Sequence, residues 1–176
     1  NEVFGPMVNY QPSTVYRSGS GHPGPQYWQN KADYKISAKI DTLKKTITGH
    51  ISIKYTNNSP DKLDFIWLQL DQNKFGTKSK GTATTPIGLG RYGLKNFDGG
   101  YEISNIKATK LNKKPNLDTT LIDDTRMQIR LKDAILKNQS ITIDLDFAFT
   151  IPNNGADRMG YLNTKNGTIF QLAQWY

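Results

Sequence analysis

The sequence predicts an all-β fold, a saddle-shaped and mainly antiparallel β-sandwich, from two observations. Apolar and polar residues alternate with period 2 in several segments, the spacing of a strand that buries one face. The clearest case is residues 141–149, where five apolar residues alternate with polar or small ones. Clusters of Asn, Asp, Gly and Pro separate these segments, and none has the period of an amphipathic helix.

The individual strands follow in order along the chain. Residues 34–40 and 47–55 alternate and are joined by a polar-rich turn, which predicts a β-hairpin. Residues 63–70 are apolar at successive positions, which is typical of a strand buried on both faces. Further strands are predicted at residues 101–110, 127–131 and 141–149, and Asn166-Gly167 suits the turn of a short hairpin.

Two segments fall outside this pattern. Residues 1–26 contain four prolines and few aliphatic residues, and they predict an extended N-terminal arm before a β-domain at residues 27–176. Residues 71–100 contain seven glycines and no regular period, which predicts a long loop.

Composition narrows the possible functions. The chain has 176 residues, 23 Lys and Arg against 15 Asp and Glu, two histidines and no cysteine. The absence of cysteine excludes a cysteine nucleophile and a cysteine-ligated metal. It favours a periplasmic or secreted location and leaves the cytoplasm open. The net charge of +8 is spread over outward strand positions rather than clustered, so no nucleic-acid partner is predicted. No apolar run reaches the length of a membrane span.

The remaining motifs predict no catalytic and no metal-ligating residue. Residues 88–93 match G-x-G-x-x-G, but no helix follows, so a loop is the better interpretation. His22 and His50 are far apart in sequence and have no neighbouring Glu, and His50 is predicted to be solvated. Asp144 and Asp146 share one strand face. This spacing is compatible with binding Ca²⁺ or flanking a sugar, but a polar strand face that is open to solvent is the interpretation that we favour.

Several stretches, in this order and spacing, resemble a known family. They are YWQNKADYKI at residues 27–36, GHISIKYTNNSPDKL at 49–63, WLQLDQN at 67–73, MQIRL at 127–131, residues 147–152 and IFQLAQWY at 169–176. Together they are similar to the N-terminal β-domain of bacterial zinc metallopeptidases of the aminopeptidase N and leukotriene-hydrolase type.

The resemblance implies a non-catalytic domain. In that family the β-saddle precedes a thermolysin-like catalytic domain that carries G-x-M-E-N and H-E-x-x-H motifs, and both are absent here. The resemblance therefore implies a fragment that is inactive alone and has no cofactor of its own, while zinc belongs to the parent protein's catalytic domain. The implied partners are that catalytic domain and the N-terminus of a peptide substrate.

The resemblance also suggests residues for substrate binding. A Gln or Glu near the C-terminal end of the family's domain holds the substrate's amino group, and Gln171 and Gln174 lie in the corresponding stretch. Which of the two occupies the position stays open, because the spacing here is Q-x-x-Q. We also expect the apolar end of the chain, formed by Phe170, Leu172, Trp175 and Tyr176, to be an exposed interface.

A different class of function stays open beside this one. The chain is alternatively an autonomous β-sandwich module that binds peptide or carbohydrate, with the loop at residues 71–100 as its contact surface.

Overall fold

The computed structural model describes residues 12–84, 97–153, 159–173 and 175. Within them β-strands make up nearly all of the regular structure, so the predicted all-β fold is confirmed. A 3₁₀ helix at Asp71–Phe75 and a one-turn helix α1 at Lys80–Thr84 lie in the predicted loop. The strands are β1 Lys31–Asp41, β2 Thr46–Asn57, β3 Leu63–Gln69, β4 Glu102–Lys110, β5 Leu117–Asp123, β6 Arg126–Ile135, β7 Gln139–Thr150, β8 Met159–Thr164 and β9 Gly167–Leu172.

These strands form two sheets and a separate hairpin, and every strand pair is antiparallel. The four-stranded sheet has the order β1-β2-β7-β4, and the three-stranded sheet has the order β3-β6-β5. The predicted hairpin is β1–β2, which pairs over all of β1 without a register shift. Strands β8 and β9 form the short second hairpin, with Gly167 at φ +126 in its turn.

The core lies between the inner faces of the two sheets. Strand β7 buries every second residue from Ile141 to Phe149, as its alternation predicts. The three-stranded sheet supplies Met127 and Ile129, which are fully buried in the same cluster. Both sheets thus contribute to one apolar layer, the arrangement of a β-sandwich.

The prediction that residues 63–70 are buried on both faces is wrong. Ile66 and Leu70 face the core, whereas Phe65 and Trp67 are 45% and 48% exposed on the opposite face. Their rings touch edge to face at 6.2 Å. The reason is that β3 is an edge strand of a sheet that has one covered face among the described residues.

The described part of the N-terminal segment forms a turn that is held by its own backbone hydrogen bonds. The backbone N–H of Ser18 donates to His22 at 2.9 Å, and the N–H of Gly24 donates to Tyr16 at 2.8 Å. Asn30 then ties the start of β1 to the end of β2, because its side-chain oxygen accepts from the N–H of Asn58 at 2.8 Å.

A buried asparagine joins the two sheets. The side-chain nitrogen of Asn57, at the end of β2, donates to the carbonyls of Ile135 in β6 at 2.9 Å and of Asp61 at 2.7 Å. Its side-chain oxygen accepts from the N–H and the hydroxyl of Ser59 at 3.0 and 2.6 Å. Asn57 is fully buried, so these bonds replace water at a place that water does not reach.

We therefore predict that Asn57→Ala destabilises the fold by about 1–3 kcal/mol, because the Ile135 carbonyl loses the buried amide that bonds it and the link between the sheets is removed. Urea unfolding followed by circular dichroism measures this loss. The matched control is Asn58→Ala, since the Asn58 side chain donates one exposed bond to the Gln29 carbonyl. Equal losses in the two variants would contradict the structural role of Asn57.

Candidate functional site

An apolar groove of about 480 Å³ lies on the inner face of the four-stranded sheet. Its floor is built from alternate residues of the strands, which point to the same side. The end of β3 and Trp175 form its walls. Its lining residues are Tyr34, Ile36, Ile51, Ile53, Leu68, Gln69, Leu70, Asp71, Tyr101, Ile103, Leu145, Phe147 and Trp175.

The groove exists because the three-stranded sheet does not reach across the wider one. Tyr34, Ile53 and Ile143 are neighbours in one row across β1, β2 and β7. Ile143 and Ile53 are 0% and 3% exposed, but Tyr34 is 58% exposed. The cover therefore ends between β2 and β1, and the apolar face of β1 remains open.

Trp175 closes one side of the groove. Its ring lies 5.9 Å from that of Phe147 and 6.2 Å from that of Phe149. The Tyr101 hydroxyl donates to the backbone carbonyl of Trp175 at 2.6 Å, which fixes this part of the chain against β4 and β7.

The expectation of an exposed apolar C-terminal end is wrong for the described residues. Trp175, Phe170 and Leu172 are half-buried and pack against the core. Phe170 also contacts the Tyr161 ring, and the Lys45 ammonium lies 5.0 Å above it. These apolar side chains therefore pack within the domain instead of forming an exposed interface. Tyr176 lies outside the described residues.

A carboxylate stands at the rim of the groove. Asp71 is exposed at the start of the 3₁₀ helix, and within the described residues no lysine or arginine forms an ion pair with it. Burial, and then the negative charge of Asp71, raises the pKa of the Tyr101 hydroxyl to about 12. An apolar groove with a carboxylate at its rim suits an apolar side chain that carries a nearby positive charge.

The two predicted substrate-binding residues do not both enter this site. Gln171 lies in β9 opposite Gly160, with its side chain exposed. Because side chains alternate along a strand, Gln171 points away from Phe170 and Leu172 and is not in the groove lining. Gln174 lies outside the described residues, as do the glycines of residues 88–93.

A polar cluster occupies the opposite face of the same sheet. His50 Nδ1 lies 2.7 Å from Asp146 Oδ1, and the Asn105 amide donates to Asp146 Oδ2 at 2.7 Å. His50 Nε2 is 3.8 Å from the Asp144 carboxylate. The expectation of a solvated His50 is correct in exposure, but the sequence did not indicate its partner, which lies 96 residues away.

The cluster joins His50 to carboxylates rather than to a serine. Ser37, His50, Asp146 and Ser104 form one row across the four strands, in the order of a catalytic triad. However, His50 turns both ring nitrogens toward β7, and neither serine hydroxyl bonds to it. The hydrogen-bonded base that a serine nucleophile requires is therefore not in place.

The described residues also contain no group of three or more His, Asp or Glu side chains placed to hold a metal. No helix among the described residues has the length and apolarity to cross a membrane.

Comparison with known proteins leaves the family resemblance as a prediction. No protein-family model matches the chain, and no curated protein matches it.

We predict that Asn105→Gly raises the pKa of Asp146. Hydrogen bonds from Asn105 and then His50 lower the pKa of this carboxyl below its usual range. Glycine accepts the φ of +53 at residue 105 while removing the amide. Carboxyl ¹³C NMR titration measures the pKa.

The same change has a signed effect on stability. Because folding lowers the pKa of Asp146, the ionised carboxylate stabilises the folded state at pH values above its unfolded-state pKa of about 3.9. This contribution is lost as the pH falls through the lower pKa of the folded state. The stability difference between wild type and Asn105→Gly should therefore shrink in acid. Asn138→Gly is the control, because Asn138 has φ +63 but its side chain has no carboxylate partner among the described residues. An unchanged Asp146 pKa in Asn105→Gly would refute this account.

Proposed function

We propose that this chain is the non-catalytic N-terminal β-domain of a zinc aminopeptidase-like metallopeptidase. In this role it packs on the catalytic domain and helps to bind the N-terminus of a peptide substrate. The proposal combines the resemblance of residues 27–176 to that family with the antiparallel β-sandwich described above.

The observation that carries the proposal is the open apolar groove on the four-stranded sheet. Apolar area exposed to water costs about 25 cal/mol per Å², so a continuous patch is typical of a surface that contacts another domain or a ligand. Trp175 lies at this groove, so a domain that follows it in the chain would begin beside the open face.

Two kinds of oxygen are available for a substrate's amino group. Gln171 presents an exposed side-chain amide, and Asp71 presents an exposed carboxylate at the groove rim. Both accept hydrogen bonds from an ammonium, and the carboxylate does so more strongly because it is charged. The chain itself needs to supply binding only, since the proposed peptide hydrolysis belongs to the zinc-bearing domain of the parent.

The first test is the nucleotide sequence that follows the codon for residue 176. We predict an H-E-x-x-H motif on the order of 150–200 residues downstream, since its two histidines bind zinc and its glutamate acts as the base. A stop codon close to residue 176, or a downstream domain without this motif, would contradict the proposal.

The second test uses the full-length protein with aminoacyl-anilide substrates. We predict that Gln171→Ala raises KM several-fold with a smaller effect on kcat, because a lost contact to the amino group weakens ground-state and transition-state binding alike. Gln26→Ala removes an exposed glutamine outside the strands and is the matched control. Identical kinetics for both variants would exclude Gln171 from substrate binding and leave Gln174 and Asp71 to be tested in the same way.

The alternative function is an autonomous binding module, and the exposed pair Phe65 and Trp67 favours it. These rings and Leu121, which is exposed in the same row on β5 beyond Gln128 of β6, form an apolar surface on the outer face of the three-stranded sheet. Binding of glycans or peptides by the 176-residue chain, lost in Trp67→Ala and retained in Gln171→Ala, would support this module instead.

A further inference from the structure

Strand β1 is an open edge with two chemically different faces. It pairs with β2 over its full length, and no other described strand lies on its outer side. A regular, unpaired edge of this kind presents free N–H and C=O groups that can bind another strand. One face is the open apolar side that carries Tyr34 and Ile36, and the other carries alternating charges.

We infer that this edge pairs with the β1 edge of a second copy of the chain. The two strands would run antiparallel about a two-fold axis at Ile36. In this register the numbers of two opposed residues add up to 72, so Ile36 of one copy lies opposite Ile36 of the other. The resulting dimer would join two four-stranded sheets into one, with both apolar grooves on the same side. This inference goes beyond the proposed function and does not depend on it.

Charge complementarity in this register is the main argument. Lys31 faces Asp41 of the second copy, and Asp33 faces Lys39, while Lys35 faces the neutral Ser37. The two-fold axis repeats each pair, so opposite charges meet at four places and like charges at none. Directly opposed charges of unlike sign stabilise paired strands, and those of like sign destabilise them.

The neighbouring registers that keep the same faces together lack this match. In the register whose paired numbers add to 70, Lys31 faces Lys39 and Lys35 faces itself. In the register whose numbers add to 74, Asp33 faces Asp41 and Lys35 faces Lys39. Charge therefore selects one full-length register, which is how paired strands gain specificity.

The apolar face fits the same register by size. Tyr34 faces Ala38 of the second copy, and Ile40 faces Ala32, so that each large side chain lies opposite a small one. Ile36 meets its own copy at the axis. Tyr34, Ile36 and Ile40 are all more than one third exposed, and the pairing would cover part of this apolar surface.

The two lysines whose charges the pairing uses, Lys31 and Lys39, are accessible. Lys39 has no carboxylate within ion-pair distance among the described residues, although it lies on an exposed strand. Lys31 is bonded to Asp33 of its own strand at 2.8 Å, but both side chains are about half exposed or more and remain accessible. A partner that supplies Asp33 opposite Lys39 completes this surface.

Charge-reversal variants of the 176-residue chain test the register. Sedimentation velocity should show a concentration-dependent dimer for the wild type. Lys39→Glu and Asp33→Lys should each weaken it roughly tenfold or more, because each places like charges opposite one another twice. When these two variants are mixed, unlike charges face each other again, and native mass spectrometry should detect their heterodimer. Lys132→Glu makes the same charge change on β6 as Lys39→Glu and should leave the dimer intact.

Cysteine cross-linking gives a second readout, since the chain has no cysteine of its own. Opposed residues of antiparallel strands have Cα atoms about 4.5–5.5 Å apart, which a disulfide can bridge. Ile36→Cys should therefore form a covalent dimer with added diamide as the oxidant. Lys35→Cys and Ser37→Cys, which face themselves in the two rejected registers, should do so far more slowly. Thermal melts confirm that every variant is folded.

Three results would overturn the inference. One is a wild type that stays monomeric up to its solubility limit, with Ile36→Cys no faster to cross-link than the neighbouring variants. Another is a dimer that Lys39→Glu leaves unchanged, which would place the interface elsewhere, for instance at Phe65 and Trp67. The last is a protein that stays monomeric while its β1 edge binds an extended acidic peptide. The natural partner of the edge would then be another molecule and not a second copy of the chain.

Discussion

The structure depends on a mismatch in width between two sheets that share one core. Ile143 and Ile53 are covered by the three-stranded sheet, whereas Tyr34 in the same row is open to solvent. The mismatch is fixed because Asn57 bonds the end of β2 to β6, and this buried bond sets where the sheets meet. With the sheets held there, β1 keeps an apolar face without cover, and the groove follows from that.

The sequence predicted the strands well because their pattern is local. Period-2 alternation defines β1, β2 and β7 with their correct faces, since burial of one side determines which residue types occur along the strand. It did not predict that Phe65 and Trp67 face outward. An apolar run shows that a segment tolerates burial, but which face is covered depends on the position of other strands.

The candidate site was much less accessible to sequence analysis, because distant segments build it. Tyr101 meets Trp175 across 74 residues, and His50 meets Asp146 across 96. Neither pair leaves a local motif. The family resemblance suggested Gln171 and Gln174 as site residues, whereas Asp71, Tyr101 and Trp175 line the groove. Asp71 and Tyr101 lie together only because the 3₁₀ helix is placed beside the start of β4, and the Tyr101 hydroxyl holds Trp175 there.

The groove and the open strand edge are two separate surfaces of the four-stranded sheet. On the other face of this sheet, His50 contacts two carboxylates of β7 among the described residues. The groove opens perpendicular to the four-stranded sheet, while the free side of β1 lies in its plane. The domain that we propose on the groove and the strand that we propose at the edge would therefore approach from different directions, so the two proposals are compatible.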